Sequence, residues 1–425
     1  MTSRAAETPR RGALLAWWLY DWAGSAFNTI VVTFVFPTYF VRAVAADPVT
    51  GTAAWAGAQS AAGLAIALLA APLGAIADRG GHGRAFLGAA VTVLVAATGA
   101  LWLVRPHSGD AALALWLAAL ATIAFEIGFV FYNAMLPALA PVGRVGRVSG
   151  IGWAMGYAGG ISCLGICLGV FILPASPPFG LGAAAAEPVR ACALLAAAWI
   201  ALFAWPVLAF GPTSAHRVGW SIALRDGFRV LGDALRRAAR DRVMRRFLIA
   251  RMLYTDGLTT LFAFGGIFAA GSFGVGARGV LVLGIALNVT AGIGAVAFGL
   301  IEDRVGDRRT ALIALGALSL LGAAVLAVRG VAWFWVLALL LGVFVGPAQS
   351  ASRTLMARLA PADARNAGFG LYALSGRVTG FVGPAALGAV TALAHSQRAG
   401  MAVIVALLAT GWALLLRTPI PATIA

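Results

Sequence analysis

Gly74-Ala-Ile-Ala-Asp78-Arg79-Gly-Gly-His-Gly-Arg84 returns later in the chain as Gly299-Leu-Ile-Glu-Asp303-Arg304-Val-Gly-Asp-Arg308-Arg309. Both copies open on glycine, carry Asp-Arg at the same two positions and close on arginine. Two further pairs lie in matching places. Leu139-Ala140-Pro141 is followed by Gly150 and Gly156, and Leu359-Ala360-Pro361 by Gly370 and Gly376 at the same spacings. Leu19-Tyr20-Asp21 near the start has a counterpart in Leu253-Tyr254-Thr255-Asp256. Three matches in the same order mark a chain built from two parallel copies of one unit.

The unit is apolar. The chain of 425 residues is 61% hydrophobic and 11% charged, with a mean hydropathy of +0.92. A soluble domain carries about 25% charged residues, so the surplus of apolar surface belongs in lipid. A spanning helix needs about 20 apolar residues. Twelve runs meet that length: 14–41, 53–77, 85–104, 111–135, 148–173, 189–210, 247–271, 279–301, 310–328, 331–352, 367–394 and 400–416. They lack strand alternation, so the spans are helical. The expected fold is an all-α membrane protein of two six-helix bundles. Residues 1–210 form the first bundle, 211–246 a linker and 247–425 the second.

The net charge of +16 does not mark a nucleic-acid partner, because its distribution follows the membrane. All 31 basic residues are arginine. With an even number of spans the termini share a side, and the segments on that side hold 23 arginines, among them Arg4, Arg10, Arg11, Arg217 and Arg353. The opposite loops hold six: Arg42, Arg105, Arg190, Arg278, Arg329 and Arg398. The positive-inside rule places both termini in the cytoplasm. An absence of lysine beside abundant Ala, Gly and Arg suits a GC-rich bacterial genome, hence an expected bacterial inner membrane. The first apolar run is too long for a cleaved signal and lacks a small-residue cleavage site, so it reads as an anchor. In the linker, Leu224, Phe228, Leu231 and Leu235 recur at helical spacing, with Arg225, Arg229, Arg236, Arg237 and Arg240 on the rest of the helix. This describes a helix lying on the inner leaflet against lipid headgroups, or a solvated linker helix.

Several chemistries are excluded. Without lysine there is no Walker A motif, so ATP bound to this chain does not drive it. His82, His107, His216 and His395 fall in loops, which argues against a metal site, and no GxSxG nucleophile elbow occurs. Cys163, Cys167 and Cys192 lie in spans without a CxxC spacing and read as small packing residues. No enzyme activity, cofactor or metal is expected.

What the spans do hold is charge. Asp21, Glu126, Asp256 and Arg377 interrupt apolar runs. A charge in hydrocarbon costs at least ~2.5–3.5 kcal/mol, so it has a partner or a role. Asp21 and Asn28 are seven apart on span one, Glu126 and Asn133 on span four, and Thr259 and Thr260 follow Asp256 within a turn. Glu126 and Asp256 read as proton or substrate-amine sites, or as buried structural contacts. Asp21 either joins them or pairs with an arginine near the surface. Arg377 either neutralises a carboxylate of its own half or binds a substrate carboxylate. Asp78 opens a tight turn and can accept hydrogen bonds from a helix N-terminus. Gly152, Gly156 and Gly160 on span five, and Gly284, Asn288 and Gly292 on span eight, present small residues at four-residue spacing, where helices approach closely.

The duplicated loop and the six-plus-six plan resemble the major facilitator superfamily. Leu19-Tyr20-Asp21-Trp22-Ala23-Gly24-Ser25-Ala26-Phe27, Tyr132-Asn133-Ala134-Met135-Leu136-Pro137, the run Arg147 to Tyr157, Gln349 to Arg353 and Gly370 to Gly376 resemble the autophagy-related vacuolar amino-acid effluxers within it. Gly24 and Thr255 stand where that family typically has Asn. The resemblance implies a pseudo-two-fold axis between the bundles and a cavity lined by spans one, four, seven and ten. It also implies a latch: Asp78, with Gly74, Arg79 and Arg84, against the start of span eleven near residue 366. Asp303 and Arg304 belong to the second copy. Spans five and eight face each other, so their glycines would form a sliding seam. The expected function is secondary transport of a small organic solute, an amino acid or similar metabolite, by alternating access, with efflux as the direction and proton coupling through Glu126 or Asp256. Asp21, Asn28, Glu126, Asn133 and Asp256 are expected to converge on one central cavity. The protein is expected to act as a monomer, with membrane lipids as its other partners. Export of an amphipathic drug or lipid is the rival within transport, and a non-transporting receptor or scaffold the rival outside it.

Overall fold

A chain in hydrocarbon must satisfy every backbone N–H and C=O within the span, and the helix does so locally. The computed structural model describes residues 11–141, 143–174, 176–213 and 218–419, so Arg4, Arg10, Arg217 and His216 lie outside the described residues. It contains twelve membrane-length apolar helices: Arg11–Val44, Thr50–Gly80, Gly83–Leu103, Ser108–Leu139, Val145–Ile172, Glu187–Phe210, Arg242–Phe273, Val282–Val305, Asp307–Ala327, Val331–Leu359, Arg365–Ala394 and Gln397–Leu416. Several overrun the apolar runs that announce them. Span seven starts at Arg242, where Asp241 caps the helix by accepting from the N–H of Val243 at 2.7 Å and Met244 at 3.3 Å. Span ten continues to Leu359, which draws Arg353 inside the bundle.

Two spans are irregular. Span one turns π-helical over Asn28–Phe34 and Phe40–Val44, on either side of Pro37. Span eleven is two helices, Arg365–Arg377 and Val382–Ala394. Pro384 has no N–H to give to Gly380 and its ring crowds that carbonyl, so the helix stops and restarts there. The N–H of Gly383, in the first turn of the restarted helix, donates to Asp256 Oδ2 at 2.9 Å.

The packing repeats as the sequence does. Span one lies on spans five and six, span two on four, and span three on four and six. In the second half, span seven lies on eleven and twelve, span eight on ten, and span nine on ten and twelve. The halves meet chiefly where span five crosses span eight and span two crosses span eleven, two crossings that the pseudo-two-fold axis exchanges. Glycine is required at both. A Cβ on Gly150 would meet Gly299 Cα at 3.0 Å, and one on its repeat-mate Gly370 would collide with the backbone of Ala71. Between the halves, helix Trp220–Arg240 packs against span two.

Candidate functional site

Close helix crossings on the side of the molecule where the described chain begins and ends bring the duplicated loops onto the opposite half. Asp78 accepts from the backbone N–H of Asn366 at 3.0 Å and Ala367 at 2.8 Å, and from Asn366 Nδ2 at 2.7 Å. These N–H groups open the first turn of span eleven, where the backbone carries partial positive charge. Gly74 lies against the Asn366 backbone, leaving no room for a side chain. In the second copy, Asp303 accepts from the N–H of Arg147 at 3.1 Å, at the start of span five. Arg79 donates to Asp226 of the linker helix, Arg84 donates to the Gly211 carbonyl, and Arg304 is exposed.

One turn deeper lies a buried cluster whose centre the sequence reading misplaced. Arg353, counted above among the topology-setting surface arginines, is 1% exposed. Its Nη1 donates to Asp21 Oδ2 at 3.1 Å and Asn133 Oδ1 at 3.4 Å, its Nε to Ser149 Oγ at 3.0 Å and its Nη2 to the Ser149 carbonyl at 2.6 Å. The guanidinium carbon sits 4.9 Å from the Trp17 ring centre and 5.5 Å from that of Trp153. Tyr132 Oη donates to the same Asp21 oxygen at 2.6 Å. Spans one, four and five thus hold a cation supplied by span ten. Such a pair survives burial because a carboxylate, an amide, a hydroxyl and a carbonyl oxygen all accept from the guanidinium and the rings add cation–π attraction. A signal was available: Arg353 follows Ser352 as Asn133 follows Tyr132, so it is the repeat-mate of an inward-facing residue.

Midway along spans four and eleven, Glu126 pairs with Arg377. Span four and span eleven belong to different halves, so Arg377 neutralises a carboxylate across the interface rather than in its own half, because the break after Arg377 ends the helix beside span four. The pair is accessible, with side chains 21% and 35% exposed. Arg251 fixes this stretch from behind, its guanidinium stacked on Tyr372 and donating to Ser375 Oγ at 2.8 Å. Nearby, Tyr157 Oη donates to Gln349 Oε1 at 2.5 Å, again between halves. Among the described residues, no hydrogen bond joins the halves between this level and the rim opposite the chain ends.

The five residues expected in one cavity are therefore divided. Asp21 and Asn133 are buried with Arg353; Glu126 faces Arg377; Asn28 is exposed where span one becomes π-helical. Asp256 stays within its own half on the Gly383 N–H, with the Thr260 hydroxyl bonded to its carbonyl and Thr259 turned outward. The seam is corrected as well. Gly152, Gly156 and Gly160 pack on Asp21, Ser25 and Thr29 of span one, and it is Gly146 and Gly150 that face span eight. Gly152, Gly156 and Gly160 share one helix face, and that face belongs to span one, while Gly146 and Gly150 lie on another.

Residues 58–423 match the family model described as vacuole effluxer Atg22 like. The chain is 28% identical over 386 residues to an uncharacterised MFS-type transporter, YxiO, of Bacillus subtilis (strain 168), covering 89% of this chain and 87% of that protein. It is 26% identical over 202 residues to autophagy-related protein 22 of Candida glabrata, covering 44% of this chain and 36% of that one. Among solved structures it superposes with a TM-score of 0.75 on the major facilitator superfamily transporter FucP in its outward conformation, covering 97% of this chain and 99% of that one, at 14% identity.

Proposed function

This chain belongs to the Atg22-like vacuole effluxer family and is a transporter of the major-facilitator fold, not an enzyme; from that premise we propose that it carries a small zwitterionic solute, an amino acid or close relative. The observation that carries the reading is the accessible Glu126–Arg377 pair. An α-amino acid presents an ammonium to Glu126 and a carboxylate to Arg377, replacing one ion pair by two charge-assisted contacts. Because the two residues stand on opposite halves, a solute held by both draws the halves together. Asp78 and Asp303 close the side of the chain ends, and rocking that parts the two glycine crossings would break these contacts and open that side. With the termini cytoplasmic, the closed face is the inner one and the pair is reached from outside. Efflux then requires the solute to enter through the opened latch. Glu126, released from Arg377, is the group we assign to proton coupling. An amphipathic drug or lipid has no use for a paired acid and guanidinium at mid-membrane, which places that reading second.

A ligand-dependent shift in melting temperature of the purified protein tests this. Amino acids are expected to stabilise the parent, and Glu126→Gln and Arg377→Gln each to lose the shift while melting normally without ligand. Stabilisation by a sugar or lipid that survives in both variants would overturn the assignment.

A further inference from the structure

Helix Trp220–Arg240 does more than connect the halves. Ala223, Gly227 and Ala234 are its buried face. Gly227 lies on Ile76 of span two, while Ala234 packs with Ala75 of span two and with Ala364 and Ala367 at the head of span eleven. These are the two elements that Asp78 joins. Ion pairs anchor the helix to each side of that junction: Asp226 to Arg79 at 3.0 Å, and Arg237 to Asp363 at 3.7 Å. Trp220 stacks on His82, with ring centres 4.0 Å apart.

At 3.6 residues per turn, the remaining surface divides into two stripes. Beside the docked face, Leu224, Phe228 and Leu235 are exposed, Phe228 by 65%. Next come Arg225, Arg229, Arg236 and Arg240, all exposed, with Ile222 the one apolar residue among them. A docked face, an apolar stripe and an arginine stripe in that order suit one setting. The helix lies at the bilayer surface beside the ends of the spans, apolar stripe in the acyl boundary and arginines on headgroups. Four arginines in one row are complementary to anionic phospholipid.

We propose that anionic phospholipid, bound by this arginine stripe, holds the helix as a clasp across the Asp78 junction and keeps the gate on the side of the chain ends shut. The proposal rests on the alternating-access reading above, since it concerns when that gate opens. Separating span two from span eleven must strip the clasp from one of them, and lipid that fixes the helix at the surface adds to the cost of doing so.

The test reads the gate directly and needs no solute. Spin labels go on Ala138→Cys and Ala362→Cys, in full-length protein whose three native cysteines are replaced. Distances are measured by double electron–electron resonance in vesicles of phosphatidylcholine alone and with phosphatidylglycerol added. A short-distance population is expected to dominate with phosphatidylglycerol, and the long-to-short ratio to rise about fivefold without it. In a variant carrying Arg225→Gln, Arg229→Gln, Arg236→Gln and Arg240→Gln, the ratio is expected to stay high in both lipids. Asp226→Asn, which frees the clasp from Arg79 and keeps all four arginines while releasing Arg229 from its 3.6 Å ion pair with Asp226, is expected to raise it in both as well. Two populations whose ratio ignores lipid, or a four-arginine variant that still responds to phosphatidylglycerol, would overturn the proposal and leave the transport reading standing. A single distance in every lipid would overturn both.

Discussion

Arg353 is the residue on which the closed state turns. It makes four hydrogen bonds to three residues and is seated among aromatic rings, and its carboxylate partner Asp21 is 4% exposed. Removing one member of a buried pair strands the other, at about 3–5 kcal/mol. Asp21→Asn is therefore expected to lower the melting temperature sharply in detergent. Asp21→Asn with Arg353→Met is expected to recover part of the loss, since neither charge is then left alone. Equal melting of parent and Asp21→Asn would show that the pair does not hold this state. Glu126 and Arg377 differ in kind: the same chemistry, partly exposed, is available to exchange partners.

Elements act through their ends. Asp78 contributes two carboxylate oxygens to three N–H donors at the head of span eleven. In Asp78→Asn one oxygen becomes an NH2 group that opposes the Ala367 N–H, so the contact weakens while the core of each half is untouched. Transport in vesicles is expected to fall at least about tenfold with expression unchanged, a loss of ~1.4 kcal/mol or more from charge-assisted bonds. Wild-type rates at equal protein would rule the latch out. The break in span eleven is held the same way. Asp256 binds the first turn of Val382–Ala394, and Asp256→Asn is expected to weaken solute binding through Arg377 without touching the solute itself. Unchanged affinity in that variant, beside lost affinity in Arg377→Gln, would confine Asp256 to packing.

For the whole molecule, the arginine distribution predicts which side faces the cytoplasm, and labelling decides it. Ser108 opens span four on the side away from the chain ends, and Ser221 lies on the linker helix; both are exposed. With Cys163, Cys167 and Cys192 replaced, an impermeant thiol reagent added to intact cells is expected to label Ser108→Cys and spare Ser221→Cys. The reverse pattern would invert the protein in the membrane and turn the closed face outward.

Twelve spans, their pairing into two repeated bundles and the helix between them are legible in the sequence. These depend on run length, on periodicity and on a duplication that leaves matched residues at matched spacings. Also legible is which residues could not rest in lipid unpartnered. Which charge meets which partner depends on the folded packing. Asp21, Glu126 and Asp256 are each a carboxylate in an apolar run, and the sequence left the partner of each open. They separate only because span ten continues past its apolar stretch to bring Arg353 to the first, the break at Pro384 sets Arg377 beside the second, and the restarted helix offers an N–H to the third. Glycine spacing on span five likewise identified a close-packed face, but which neighbour met it depended on how the helices are rotated. Run lengths and spacings record what each helix can bury. They do not record the contacts between helices far apart in the chain, and those contacts assign each charge its partner.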